Sequence, residues 1–195
     1  PDMSKKIRIL AFAGSARNDS WNKKLVRIAA EGARAAGAEV TDLDLADYPM
    51  PIYDGDLEVT EGQPDNAKRL KTLMINSHGF LIASPEYNSG YSPLLKNTID
   101  WVSRPVPEEP SLLAFAGKVT ALMSASPGAL GGLRGLAQLR QVLSNIQALV
   151  LPGQVTVPLA QNLFKKNGYL GDEKKQKETI ELGTTLAHVL RKLDS

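Results

Sequence analysis

Cysteine is absent from the 195 residues, which excludes disulfides, thiol nucleophiles and cysteine-ligated metals. Histidine is nearly absent: the chain holds two, His78 and His188, far apart and without a partner at ligand spacing, so no metal site is expected. Charge of one sign is not in excess, since 23 basic and 21 acidic residues are interspersed and leave a net charge of +2. A nucleic-acid-binding face is therefore not expected. No run approaches the roughly 18 apolar residues of a membrane-crossing helix. The apolar run at residues 7–13 has strand length and opens into a structured loop instead of a cleavage site, so no signal peptide is read and a cytoplasmic location is the expectation. Pro1-Asp2-Met3 are read as additions ahead of a start at Met3 and set aside. The remaining composition, 43% hydrophobic and 23% charged, is ordinary for a globular protein, and the length suits one domain, residues 4–195, with a sizeable core.

Glycine is also scarce where a dinucleotide-binding loop would need three, because Gly14-Ser15-Ala16-Arg17-Asn18-Asp19-Ser20-Trp21-Asn22 offers one. No Gly-Lys-Ser/Thr follows, so this is not a Walker loop. What is present is a buried strand that breaks at glycine, passes hydroxyl and amide residues with one arginine, and enters a helix. Unpaired N–H groups at a helix start favour an anion. Ser15, Ser20 and Asn22 can add side-chain donors, and Arg17 a forked, permanently charged one. The pattern points to the phosphate of a mononucleotide.

Strand and helix patterns then alternate. Residues 21–36 place Leu25, Ile28, Ala29, Gly32, Ala33 and Ala36 on one helical face, and Gly37 ends the helix. Residues 39–45 read as a second strand, and 47–65, rich in proline and glycine, as a long surface loop. A helix to about Asn76 precedes the third strand, Phe80-Leu81-Ile82-Ala83, which is continuously apolar as a strand covered on both faces should be. Ser84-Pro85-Glu86-Tyr87-Asn88-Ser89-Gly90-Tyr91 follows, before Ser92-Pro93 caps a helix through Trp101. After a proline-rich excursion at 104–110, residues 118–123 form the fourth strand and 124–132 a third loop at a strand end. A helix through Leu136, Leu139, Leu143 and Ile146 leads to a fifth strand at 148–157, interrupted by Pro152-Gly153, and residues 173–193 make the last helix. This predicts an α/β fold: a doubly wound, five-stranded parallel sheet with helices on both faces, for which the flavodoxin-like order 2-1-3-4-5 is expected. The loops after the first, third and fourth strands then meet at one crevice.

Together these loops resemble the NADPH-dependent FMN reductase family, flavodoxin-like enzymes that include quinone, azo-dye and chromate reductases. The matching residues are Gly14-Ser15-x-Arg17-x-x-Ser20-x-Asn22, Pro85-Glu86-Tyr87-Asn88 with the following Leu95-Lys96-Asn97-x-x-Asp100-Trp101, and Gly128-x-x-Gly131-Gly132. The likeness spans residue 7 to about 151. It implies a bound FMN, with Ser15, Arg17, Ser20, Trp21 and Asn22 on the phosphate side and Pro85, Glu86, Tyr87 and Asn88 along the isoalloxazine. Ser124, Ser126 and Gly128 would approach from the third loop, and Ala125, where a hydroxyl is expected, would contribute only backbone. NAD(P)H would be the electron donor, and quinones, free flavin, azo compounds, ferric chelates or chromate-type oxyanions the acceptors. The cofactor would carry the redox chemistry, so no catalytic side chain is expected.

An electron carrier of the flavodoxin type would bind FMN too, but such carriers are strongly acidic and this chain is not. A phosphoacceptor domain on the same fold needs acidic residues where Phe12-Ala13-Gly14 and Ala83-Ser84-Pro85 stand, and a low-molecular-weight phosphatase needs a loop cysteine. Gly131-Gly132 suits either tight helix–strand packing or ligand contact, and Trp101 either core or subunit interface. A homodimer or homotetramer is expected from the resemblance and from Tyr53, Tyr91 and Trp101, with residues 47–63 and 93–101 near the contact.

Overall fold

A computed structural model of the chain describes residues 6–193. Pro1 to Met3, set aside above, lie outside the described residues.

The first strand, β1 (Arg8–Ala13), leads through the glycine loop to α1 (Trp21–Ala35) and β2 (Glu39–Leu43). A 3₁₀ turn at Leu45–Asp47 precedes α2 (Gly55–Glu61) and α3 (Asp65–Ile75). Next come β3 (Gly79–Ala83), a hairpin of β4 (Glu86–Tyr87) and β5 (Gly90–Tyr91), and α4 (Pro93–Val102). The chain ends with β6 (Val119–Ala125), α5 (Leu133–Asn145), β7 (Leu149–Val157), α6 (Ala160–Leu163) and α7 (Glu173–Leu193).

Five strands form one parallel sheet in the order β2-β1-β3-β6-β7, with the hairpin outside it. With the hairpin discounted, this is the expected order 2-1-3-4-5. Alternation along β1 explains the two-sided core. Ile9, Ala11 and Ala13 face α1 and α7, while Leu10 and Phe12 face the side covered by α3, α4 and α5. Register places Ala13 beside Ala83 and Ala83 beside Met123, so the loops leaving β1, β3 and β6 emerge side by side at one sheet edge.

Helices α1 and α7 touch backbone to backbone at two glycines. A Cβ on Gly32 would lie 2.0 Å from the Ile180 carbonyl oxygen, and one on Gly183 only 1.8 Å from that of Ala29. Thr184 Oγ1 adds a hydrogen bond to the Gly32 carbonyl at 3.1 Å.

The stretch 47–65 departs from the expected loop. Asp54 accepts the amides of Asp56 and Leu57 and so starts α2, with Asp56 and Glu58 in its first turn. No residue of that helix is buried, so there is no apolar periodicity to read. Trp101 is core: it is fully buried, its Nε1 donates to the Pro51 carbonyl at 2.8 Å, and Tyr53 meets it edge-on at 4.9 Å. It therefore offers no surface to a second subunit. Pro152-Gly153 does not interrupt the fifth strand, because β7 is an edge strand and the irregularity is absorbed by a register shift between Thr120 and Leu122.

Lys23 and Asp44 tie α1 to the chain beyond β2, with Nζ 2.6 Å from Oδ2. Burial pushes the Asp44 carboxyl up, but the Lys23 hydrogen bond, the Ala46 amide and the charges of Lys23 and Arg27 outweigh it and hold the pKa below the ordinary 3.8. A carboxyl with a lower pKa in the folded state stabilises above its unfolded value, and loses that contribution as pH falls through the folded one. Melting temperature is thus expected to drop between about pH 5 and about pH 3, and Asp44→Asn to flatten part of that drop by lowering stability at neutral pH only.

Candidate active site

At the carboxyl ends of β1, β3 and β6 an open crevice of about 240 Å³ is lined by Ser15, Arg17, Ser20, Trp21, Asn22, Pro85, Glu86, Tyr87, Ala125, Ser126 and Pro127. A larger depression of about 410 Å³ lies between the start of α7 and the 165–170 segment that follows α6, and none of the loops leaving β1, β3 or β6 lines it. Ligands of doubly wound sheets sit at strand carboxyl ends, which selects the first crevice.

Its phosphate-loop side is built for an anion. Gly14 is bare because a Cβ there would lie 2.8 Å from Ser92 Oγ, which itself donates to the Gly14 carbonyl at 2.6 Å. This bond holds the loop against the start of α4. The amides of Ala16, Asn18 and Asp19 have no acceptor among the described residues. Three serines share one arrangement. Ser15 Oγ accepts the Arg17 amide at 3.3 Å, Ser20 Oγ the Lys23 amide at 3.3 Å, and Ser126 Oγ the Gly128 amide at 3.2 Å. Each oxygen is fixed as an acceptor, and its own proton remains to donate. Arg17 has no carboxylate partner among the described residues and lies over the Trp21 ring at 5.9 Å. The loop's acid, Asp19, pairs with Lys24, whose hydrogen bond and charge hold its carboxyl below the ordinary range.

Asn22 does not serve as a free donor. Its Nδ2 donates to the Ala125 carbonyl and its Oδ1 accepts the Ala125 amide, both at 2.9 Å. The side chain thus pins the first loop to the end of β6, and the Ala125 amide is not available as a donor to a ligand. Ser124 is fully buried, with Oγ donating to the Ser84 carbonyl at 2.6 Å, and does not line the crevice. Strand alternation turns it toward α5 while Ala125 and the crevice lie on the other side. Gly128 and Asn88 do not line the crevice either. Asn88 and Ser89, with φ of 50° and 65°, are the two central residues of the hairpin turn. Glu86 lines the crevice, but its carboxylate accepts the Gly135 amide at 2.8 Å. For Gly131-Gly132 the structure selects packing: a Cβ on Gly132 would lie 1.8 Å from Ser124 Oγ, and one on Gly131 2.6 Å from the Pro158 nitrogen. Ala125, expected to contribute only backbone, lines the crevice, and so does Pro127, which residue type alone did not single out. Their place between Ser124 and Gly128 was the available signal.

The described chemistry suits a phosphorylated planar cofactor, with unpaired amides, free hydroxyl protons and an unpaired guanidinium at one end and Pro85 and Tyr87 at the other. The model of the NADPH-dependent FMN reductase family matches residues 7–162. The chain belongs to that family. A family relative, the NAD(P)H-dependent FMN reductase of Pseudomonas aeruginosa, is 35% identical over 174 residues, covering 88% of this chain and 89% of that one. The quinone reductase of Escherichia coli K12 is 36% identical over 150 residues, 76% of each chain. Among solved structures, the flavoenzyme NAD(P)H:(acceptor) oxidoreductase of Paracoccus denitrificans superposes with a TM-score of 0.77 at 26% identity, over 95% of this chain and 98% of that one. An archaeal flavodoxin, at 10% identity and a TM-score of 0.60, shares the fold. Among the described residues no helix is long and apolar enough to cross a membrane.

Proposed function

We propose that this member of the NADPH-dependent FMN reductase family works as a single domain that binds FMN in the strand-end crevice and reduces a small, quinone-like acceptor with electrons from NAD(P)H. The observation that carries this reading is the phosphate side: acceptor-free amides, three hydroxyls with protons to donate and an arginine without a carboxylate partner converge at one helix start. FMN, when bound, supplies the hydride-accepting and hydride-donating chemistry.

The chain's own residues then bind and position. Ser15, Arg17 and Ser20 hold the phosphate, and Ser126 reaches it or the ribityl chain. Asn22 acts indirectly by fixing the loop that carries them. Pro85 and Tyr87 stand beside the ring, and half-exposed Tyr87 borders the space where a second planar molecule stacks. No lining side chain is assigned as an obligatory acid or base, since Glu86 is held by Gly135 and Arg17 serves the phosphate. Rate enhancement then comes chiefly from placement.

Donor and acceptor share this one crevice and use it in turn. Purified protein is expected to be yellow, to lose its colour anaerobically on addition of NADH or NADPH, and to give parallel double-reciprocal lines at several fixed quinone concentrations. Intersecting lines would reveal a ternary complex and a second site. Protein that keeps FMN but is bleached by neither nucleotide is an electron carrier. Self-association as a dimer or tetramer belongs to the same reading, for which exposed Ile52, ahead of α2, and Val59, within it, supply apolar surface.

A further inference from the structure

Helix α5 begins without a side-chain cap of its own. Its N-cap is Gly132 in the left-handed conformation, and no acid lies in its first turn. The third helical residue, Gly135, presents the amide that an N-cap serine or aspartate would normally accept. Glu86 supplies that acceptor from the hairpin, 49 residues earlier, at 2.8 Å. The positive end of the helix favours a carboxylate there.

The junction is tight and made on bare backbone. A Cβ on Gly135 would lie 3.1 Å from the Gly90 carbonyl oxygen and 3.3 Å from Glu86 Cγ, so a methyl at 135 requires the hairpin to give by a few tenths of an ångström. Gln138 Nε2 donates to the Ser89 carbonyl at 3.0 Å on the same side. The two-residue turn at Asn88 and Ser89 is of the strand-matching kind, with positive φ at both centres. A displacement at Glu86 is therefore passed directly to its neighbour Tyr87 at the crevice mouth.

We propose that Glu86 is a positioning residue: its carboxylate, capping α5 in place of a local side chain, sets where the hairpin and Tyr87 stand on the nicotinamide and acceptor side of the crevice. The phosphate side does not depend on it, because Ser15, Arg17 and Ser20 are held by α1, α4 and β6. The catalytic half of this inference rests on the functional reading above.

The test uses the full chain as Glu86→Ala, Glu86→Gln and Gly135→Ala. In Glu86→Ala the Gly135 amide, followed by hydrogen exchange without added nucleotide, is expected to exchange roughly 10-fold faster or more, the loss corresponding to a charge-assisted hydrogen bond. Glu86→Gln retains a carbonyl acceptor and should recover part of the protection. In the FMN-loaded enzyme the KM for NAD(P)H is expected to rise several-fold in Glu86→Ala, while FMN affinity, read from quenching of protein fluorescence, stays within about 3-fold of wild type. Gly135→Ala should reproduce the KM change with the carboxylate intact. Unaltered exchange at Gly135 overturns the proposal, as does faster exchange with unchanged KM and kcat, or a loss of FMN affinity as large as the change in KM. Should Glu86→Ala fail to fold, Glu86→Gln decides by exchange at the Gly135 amide and Gly135→Ala by the KM for NAD(P)H. A wild type that takes up no FMN overturns the functional reading and the catalytic half with it, whereas the exchange result still decides the anchor.

Discussion

Arg17→Ala is expected to weaken FMN binding roughly 10- to 150-fold, the consequence of removing a charge-assisted contact worth about 1.5–3 kcal/mol. The size follows from how the guanidinium is prepared. It stands at the start of α1 with no carboxylate partner among the described residues, and the Trp21 ring beneath it at 5.9 Å favours one orientation. The side chain is otherwise exposed, so part of the contact energy goes into ordering it when a phosphate arrives. Asp19, the acid that would oppose a phosphate, is already paired with Lys24. Titration monitored by quenching of protein fluorescence checks the value, and riboflavin is the internal control because it lacks the phosphate. Wild-type protein that binds riboflavin as tightly as FMN, or a variant that binds FMN undiminished, would show that Arg17 does not serve the phosphate.

The second large effect concerns stability and lies far from the crevice. Gly183→Ala is expected to destabilise the fold by roughly 1–3 kcal/mol or more, because the new methyl meets a backbone oxygen that cannot rotate away. The approach is 1.8 Å to the Ala29 carbonyl, and the mirror position Gly32 meets the Ile180 carbonyl at 2.0 Å. Helices α1 and α7 must separate to admit either methyl, and the apolar layer between them and the sheet then opens. At about 2–4 °C per kcal/mol for a chain of this size, the melting temperature should fall by roughly 2–12 °C. Gly153→Ala, where a Cβ meets nothing within 4 Å, separates this clash from the general effect of replacing glycine. Equal melting temperatures for Gly183→Ala and Gly153→Ala would refute the close-approach argument.

The apolar runs that became β1, β3 and β6, and the helical faces through Leu25 and Leu136, were legible because burial imprints its period on residues a few positions apart. Helix α2 was not, since a seven-residue helix without a buried residue carries no such imprint. Trp101 was legible as apolar but ambiguous in destination, because only the folded chain brings the Pro51 carbonyl to its indole nitrogen.

Residue types and their order determined the fold class, the apolar strands and the turn-rich loops at their carboxyl ends. All of these depend on short-range patterns: where glycine breaks a strand, which residues cap a helix, which run is apolar. Which polar side chains face a ligand was decided by tertiary structure alone. Asn22 closes on Ala125 across 103 residues, Ser124 on Ser84 across 40 and Glu86 on Gly135 across 49. A buried polar group takes whichever partner the folded chain sets beside it, since leaving one unmade costs more than the bond itself contributes. That partner is fixed by how the sheet and helices pack, and nothing in the local sequence of Asn22, Ser124 or Glu86 distinguishes a group held by the protein from one free to bind.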